Sequence, residues 1–154
     1  MPRHHQRTRL PYTAEQMFDL VADIEKYPAF LPWCVGLRIR SREKLGEAEL
    51  MTADLAIGFK TFRETFTSRV KIDRKARRVD VEYLDGPFRY LHNVWVFEPH
   101  DDDSCIVDFS IDFEFRNRVL KLAMNHVFHR AVQHMVSSFE KRAEQLYKTP
   151  PTRK

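Results

Sequence analysis

The sequence is short of the residues that build several common kinds of site. Only four of its 154 residues are Gly, and neither a GxGxxG nor a GxxxxGK[ST] pattern occurs. The Gly-rich turns that let a backbone approach phosphate are therefore missing, which disfavours nucleotide-dependent chemistry. Two cysteines, Cys34 and Cys105, are too few and too far apart for a thiolate metal cluster, and the seven His show no HExxH spacing. Both thiols are expected to be reduced and buried, as in a cytoplasmic protein. No run reaches the ~18 apolar residues of a membrane span. The opening MPRHHQRTRLP lacks the apolar stretch of a secretory signal; it is Arg-rich and free of acids like an organelle presequence, yet too short for one and continuous with folded pattern. A dominant charge sign is lacking as well. Against 26 basic residues stand 22 acidic ones, a net charge of +4, which is too small to name a nucleic-acid partner but suits an anionic surface.

Aromatic residues are abundant: 12 Phe in a chain that is 43% hydrophobic and 31% charged. At this length one domain is expected, burying roughly 70% of its unfolded surface. Residues 1–148 read as that domain and residues 149–154 as a flexible tail. A disordered or fibrous chain is excluded by composition.

The first helix is signalled by Thr13 as N-cap, Gln16 at the N3 position of a capping box, and Tyr12 with Met17 as a hydrophobic staple. Ala14, Met17, Phe18, Val21 and Ile24 follow at helical spacing, and Pro28 ends the run. The next segment, YPAFLPWC, sets two Pro among Tyr27, Phe30, Leu31, Trp33 and Cys34 and predicts an apolar elbow or short helical turn. From residue 35 to residue 115 the apolar period is two, and it is clearest where Val107, Phe109, Ile111, Phe113 and Phe115 alternate with Asp108, Ser110, Asp112 and Glu114. The apolar runs in this stretch read as six strands, with turn signals between them at Lys44–Glu47, Asp73–Ala76, Asp85–Pro87 and His100–Ser104. With Gln6, Thr8 and Leu10 as an opening strand, the pattern predicts an antiparallel sheet, wet on one face and aromatic on the other. Asn117 caps a last helix, with Leu120, Met124, Val127, Phe128, Ala131, Met135, Phe139, Arg142 and Leu146 on one face over more than ~7 turns. Such a helix must lie across the apolar sheet face.

The predicted class is α+β, a helix-grip arrangement in which a curved sheet of about seven strands wraps a long C-terminal helix. The elbow FLPWCVG, the strand CIVDFSIDFEF, and the helical segments RNRVLKLAMNHVF and HMVSSFEKRAEQLY resemble the coenzyme Q-binding START-domain proteins. That family lies within the polyketide cyclase and lipid transport superfamily (START/Bet v 1-like) and neighbours bacterial ribosome-association toxins. The resemblance spans nearly the whole chain. Where the family's tail continues with Gly, this chain has Lys148, which changes only the helix stop.

The resemblance implies an elongated apolar cavity between sheet and helix, occupied by ubiquinone or another isoprenoid lipid, in a protein that supports respiratory electron transport. It implies no catalysis and no cofactor. Candidate lining residues are Phe30, Leu31 and Trp33 of the elbow, the inward-phase aromatics Phe62, Phe66, Tyr83, Trp95, Phe109 and Phe113, and Val127, Phe128, Ala131 and Met135 of the helix. The elbow aromatics suit either a plug for the core or a cavity mouth or membrane-touching loop, and the mouth is the expectation. Ala131 is small and leaves space. Polar residues in the inward phase are rare, and Glu64 and Asn93 stand out; either could meet a quinone oxygen, although a buried carboxylate needs a partner, and Glu64 could instead pair with an Arg or be turned outward by a strand bulge.

Outward-phase arginines form two rows, Arg3, Arg7 and Arg9 on the first strand and Arg38, Arg40 and Arg42 on the next. With both strands at one end of a helix-grip sheet, they would gather into a patch. Such a patch solubilises a convex face, or meets anionic lipid headgroups or ribosomal RNA. Three functions follow: a quinone carrier in peripheral contact with the inner membrane and its respiratory enzymes, a ribosome-binding inhibitor of translation, or a cyclase using Glu64 or a His as general base. No acid/base pair is recognisable, which ranks the enzyme last, and no DNA partner is expected.

Overall fold

A computed structural model describes residues 3–59 and 62–147, without the side chains of Phe59, Phe62, Met124 and Val127. The expected tail lies outside the described residues. Seven strands form one antiparallel sheet: β1 (Arg3–Leu10), β2 (Cys34–Leu45), β3 (Ala48–Phe59), β4 (Phe62–Asp73), β5 (Arg78–Asp85), β6 (Phe88–Pro99) and β7 (Cys105–Phe115). Their order in the sheet is β1-β7-β6-β5-β4-β3-β2, so β2 to β7 run as a meander and β1 returns to pair with β7. In β7 every second residue from Cys105 to Phe115 is buried, as the alternation requires. The four turns that carry turn signals fall between strands as expected. At the β5–β6 turn the residue must be Gly: Gly86 has φ +142°, and a Cβ there would meet the Phe66 Cβ at 2.5 Å.

Helix α1 (Ala14–Ala22) opens with the expected capping box: the Gln16 amide donates to Thr13 Oγ1 at 3.1 Å, and the Thr13 amide donates to Gln16 Oε1 at 2.9 Å. It stops earlier than its apolar spacing suggests. Asp23, a weak helix former, leaves helical geometry at ψ 69°, and Ile24–Lys26 continue as a 3₁₀ turn. The elbow is helical, α2 (Tyr27–Phe30), with Pro28 in its first turn, where a missing N–H costs nothing.

The C-terminal helix is two helices, α3 (Arg118–Gln133) and α4 (Met135–Tyr147). Asn117 caps α3 as expected, its side chain accepting the Leu120 amide at 2.9 Å. The break falls at His134, whose amide reaches both Arg130 O and Val132 O. Its ring Nδ1 lies 2.8 Å from Arg130 O, and Ser137 Oγ donates to His134 O at 3.2 Å. These local bonds compete with the regular helical ladder. The buried stripe runs through Phe128, Val132, Val136, Phe139 and Ala143, whose spacing keeps one side at ~3.6 residues per turn. Leu146, assigned to that face by sequence, is exposed.

Candidate functional site

Between the concave sheet face and the helices lies an apolar cavity of about 100 Å³. The centre of its floor is one cross-strand row, Val70, Val81, Asn93 and Ile111, paired directly across β4 to β7. Beside it Ala53 and Ser68 pair across β3 and β4. These side chains are short, and that is why a space remains there. Phe128 of α3 and Met135 and Phe139 of α4 form the roof, with Tyr27 and Trp33 of the elbow region at the side.

Two polar side chains interrupt the floor. Asn93 is held in place by donating from Nδ2 to Ser110 O at 2.8 Å. Ser68 is 5% exposed, and its Oγ has no hydrogen-bond partner. A buried hydroxyl without a partner costs about 1–3 kcal/mol, a penalty that an acceptor on a bound molecule would remove. The Tyr27 hydroxyl is already committed, donating to Val21 O at 2.5 Å, and burial raises its pKa above the ordinary phenol range. Among the described residues the cavity wall includes no Asp, Glu, His, Lys or Arg.

Six of the sequence candidates meet at this cavity: Trp33, Phe66, Asn93, Trp95, Phe128 and Met135. Others pack elsewhere. Leu31 is fully buried and plugs the core, while Phe30 packs edge-on against Phe139, with ring centroids 5.1 Å apart, beneath the Arg142 guanidinium. Phe109 lies behind Trp95 at 4.6 Å, and Phe113 against Phe128 at 4.7 Å, both as core. Tyr83 sits beyond the cavity, its hydroxyl accepting the Phe88 amide at 3.1 Å. Glu64 and Ala131 are partly buried and outside the lining. The side chains of Phe62 and Val127 lie outside the described residues. Sequence reading missed Ser68, although a small polar residue between Phe66 and Val70 in the inward phase is the signal that singled out Asn93.

The arginine rows do not form one patch. β1 and β2 are the two opposite edges of the sheet. Most of their charge is also paired: Arg3 with Asp112, Arg7 with Asp108 at 2.8 Å and Glu98 at 3.0 Å, Arg9 with Asp101, Arg40 with Asp54 at 2.9 Å, and Arg42 with Glu25 and Glu49. Arg38 is the exception among the described residues. The cysteines are as expected, free and buried, and burial pushes both thiols up to about 11. No helix of the described residues is long and apolar enough to cross a membrane.

Comparison with known proteins places this geometry. The chain is 36% identical over 147 residues to the ribosome association toxin RatA of Escherichia coli K12, covering 96% of this chain and 90% of that one. It is 32% identical over 142 residues to the mitochondrial coenzyme Q-binding protein COQ10 homolog B of Xenopus laevis, covering 90% of this chain and 56% of that one. The solution structure of an 18 kDa protein from Caulobacter crescentus matches with a TM-score of 0.78 at 38% identity, covering 97% of this chain and all of that one. Residues 10–140 match the family described as polyketide cyclase/dehydrase and lipid transport, and the chain, with its START-like helix grip, belongs to that family.

Proposed function

We propose that this chain binds ubiquinone or a similar isoprenoid lipid without catalysis, carrying it to membrane respiratory enzymes. The observation that supports the reading best is the apolar cavity with the unpartnered Ser68 hydroxyl on its floor. Isoprene units gain about 25 cal/mol for each Å² removed from water, and a quinone carbonyl is an acceptor without a donor, the complement of that hydroxyl. Asn93 stands in the neighbouring row and fixes the polar side of the floor. The name of the Xenopus relative points to the same ligand class. Among the described residues the wall offers no carboxylate or imidazole to serve as general base, which favours binding over a cyclase reaction. The reading requires no cofactor.

At about 100 Å³ the cavity is smaller than the ~300–1,000 Å³ of ordinary small-molecule sites. A head group and a long tail therefore enter together only if the roof rises, and the break at His134, between α3 and α4, is where the roof would hinge. Mass spectrometry of organic extracts from natively purified protein tests the proposal. A co-purifying lipophilic quinone is expected. Repeated lipid-free extracts from folded protein, together with no uptake of added quinone, would sink it.

A second reading, ribosome association with inhibition of translation, draws on the name of the Escherichia coli relative. Co-sedimentation with large ribosomal subunits at moderate salt is its test, and consistent absence from that fraction removes it.

A further inference from the structure

The net positive charge of the chain is concentrated in one place. From Arg116 to His134 there is no acidic residue, and the segment holds Arg116, Arg118, Lys121 and Arg130; the other 22 basic residues of the 26 are matched by the 22 acidic ones. Arg118 and Lys121 are exposed and make no ion pair among the described residues. The arginine rows of β1 and β2, by contrast, are largely neutralised by their own carboxylates.

The same helix exposes its apolar residues. Val119 is 75% exposed and Leu122 is 80% exposed, and with Ala123 and His126, also exposed, they stand at i, i+3, i+4 and i+7 on one face of α3. Other large exposed apolar residues, such as Leu45, Leu84 and Leu146, sit singly on separate elements. The first turns of α3 thus carry an exposed aliphatic centre beside cations, the pattern of a helix that lies in a membrane interface.

We infer that the outer face of α3, centred on Val119 and Leu122 and flanked by Arg118 and Lys121, docks on an anionic lipid bilayer. The α3 segment carries no acid to be repelled by lipid phosphate, and its aliphatic centre can enter the acyl boundary. RNA would use the cations but has no need of two exposed aliphatic side chains, since phosphate contacts are made by basic and polar groups. Docking also brings lipid to the helix that supplies Phe128 to the cavity roof. The inference does not depend on the identity of the cavity ligand.

The test is sedimentation of the full chain with vesicles of phosphatidylcholine alone or mixed with phosphatidylglycerol. Binding to the mixed vesicles is expected, and added salt weakens it. V119S/L122S should lower that affinity at least tenfold, and R118A/K121A about twenty-five-fold, near fivefold for each charge. Both pairs are exposed, so melting temperatures should stay at the wild-type value. As a second measurement, L122C carrying an environment-sensitive dye should shift to the blue on mixed vesicles, the two native thiols being buried. The inference is overturned if wild-type protein ignores phosphatidylglycerol, if V119S/L122S binds as wild type does, if the dye does not shift, or if R118A/K121A loses affinity for structured RNA while vesicle binding is unchanged. A dimer abolished by V119S/L122S, with no vesicle binding, would likewise overturn it and make the face a self-association surface.

Discussion

The concave face of the sheet is built in two ways. Toward the ends of β6 and β7 it is filled with rings: Phe88 lies 4.8 Å from Phe115 and 5.2 Å from Phe128, and Phe18 meets Phe97 edge-on at 5.9 Å beneath α1. Across the middle of the sheet, from β3 to β7, the same face carries Ala53, Ser68, Val70, Val81, Asn93 and Ile111. One region is solid and the other encloses the cavity. The comparison separates two jobs that hydrophobic patterning alone merges. Of the 12 Phe, Phe66, Phe128 and Phe139 line the cavity among the described side chains, so the Phe excess makes core, and the cavity results from small side chains opposite it.

If the ring-filled region is the stabilising half, its disruption should have the largest effect on folding. Phe88→Ala removes the ring that touches Phe66, Tyr83, Phe113, Phe115 and Phe128. It is expected to cost about 3–5 kcal/mol and lower the melting temperature by about 10 °C or more, read by thermal denaturation. The small-residue region should behave in the opposite way. Ala53→Leu places a larger side chain into existing space, so its stability should change by less than about 1.5 kcal/mol, while uptake of added ubiquinone should be abolished. Loss of folding without loss of uptake would erase the distinction between the two regions.

The far side of the same β3–β4 floor gives a smaller, electrostatic effect. Asp54 accepts from Thr67 Oγ1 at 2.6 Å and Arg40 Nε at 2.9 Å, and these bonds, the hydroxyl first, hold its carboxyl below the ordinary range. A depressed folded value means that the stabilisation is complete above the ordinary carboxylate pKa near ~3.9 and is lost as pH falls through the lower folded value. Asp54→Asn should therefore cost about 1 kcal/mol at neutral pH. In urea titrations across acid pH the gap between variant and wild type should close, and a constant gap would contradict the assignment.

How much of this was legible in the sequence follows from the range of each interaction. The capping box at Thr13, the Asn117 cap, the four turns and the alternation of β7 are local, and the sequence signals match the structure at each. The break at His134 was not legible, because neither Gly nor Pro marks it and the apolar stripe continues through it. Inward phase identified Phe66, Phe109 and Phe113 alike, yet only the residues across neighbouring strands and in the roof decide which of them faces empty space. The arginine rows failed for the same reason. Asp108 and Glu98, the partners of Arg7, lie 101 and 91 positions away in sequence, beyond the reach of any local pattern.

The smallest expected effect is the sharpest test of the small-residue region. Ser68→Ala removes a hydroxyl that has no partner in the folded chain, so the empty protein should gain up to about 1 kcal/mol rather than lose stability. If that hydroxyl donates to a quinone carbonyl, the same substitution should weaken ubiquinone binding about fivefold to tenfold, the value of one ordinary hydrogen bond. It should leave the uptake of a hydrocarbon isoprenoid unchanged. Opposite signs for stability and affinity mark a residue kept for a ligand, because a residue kept for packing moves both in the same direction. A Ser68→Ala protein that melts lower and binds quinone as before would place Ser68 with the filled rows of β6 and β7, as core.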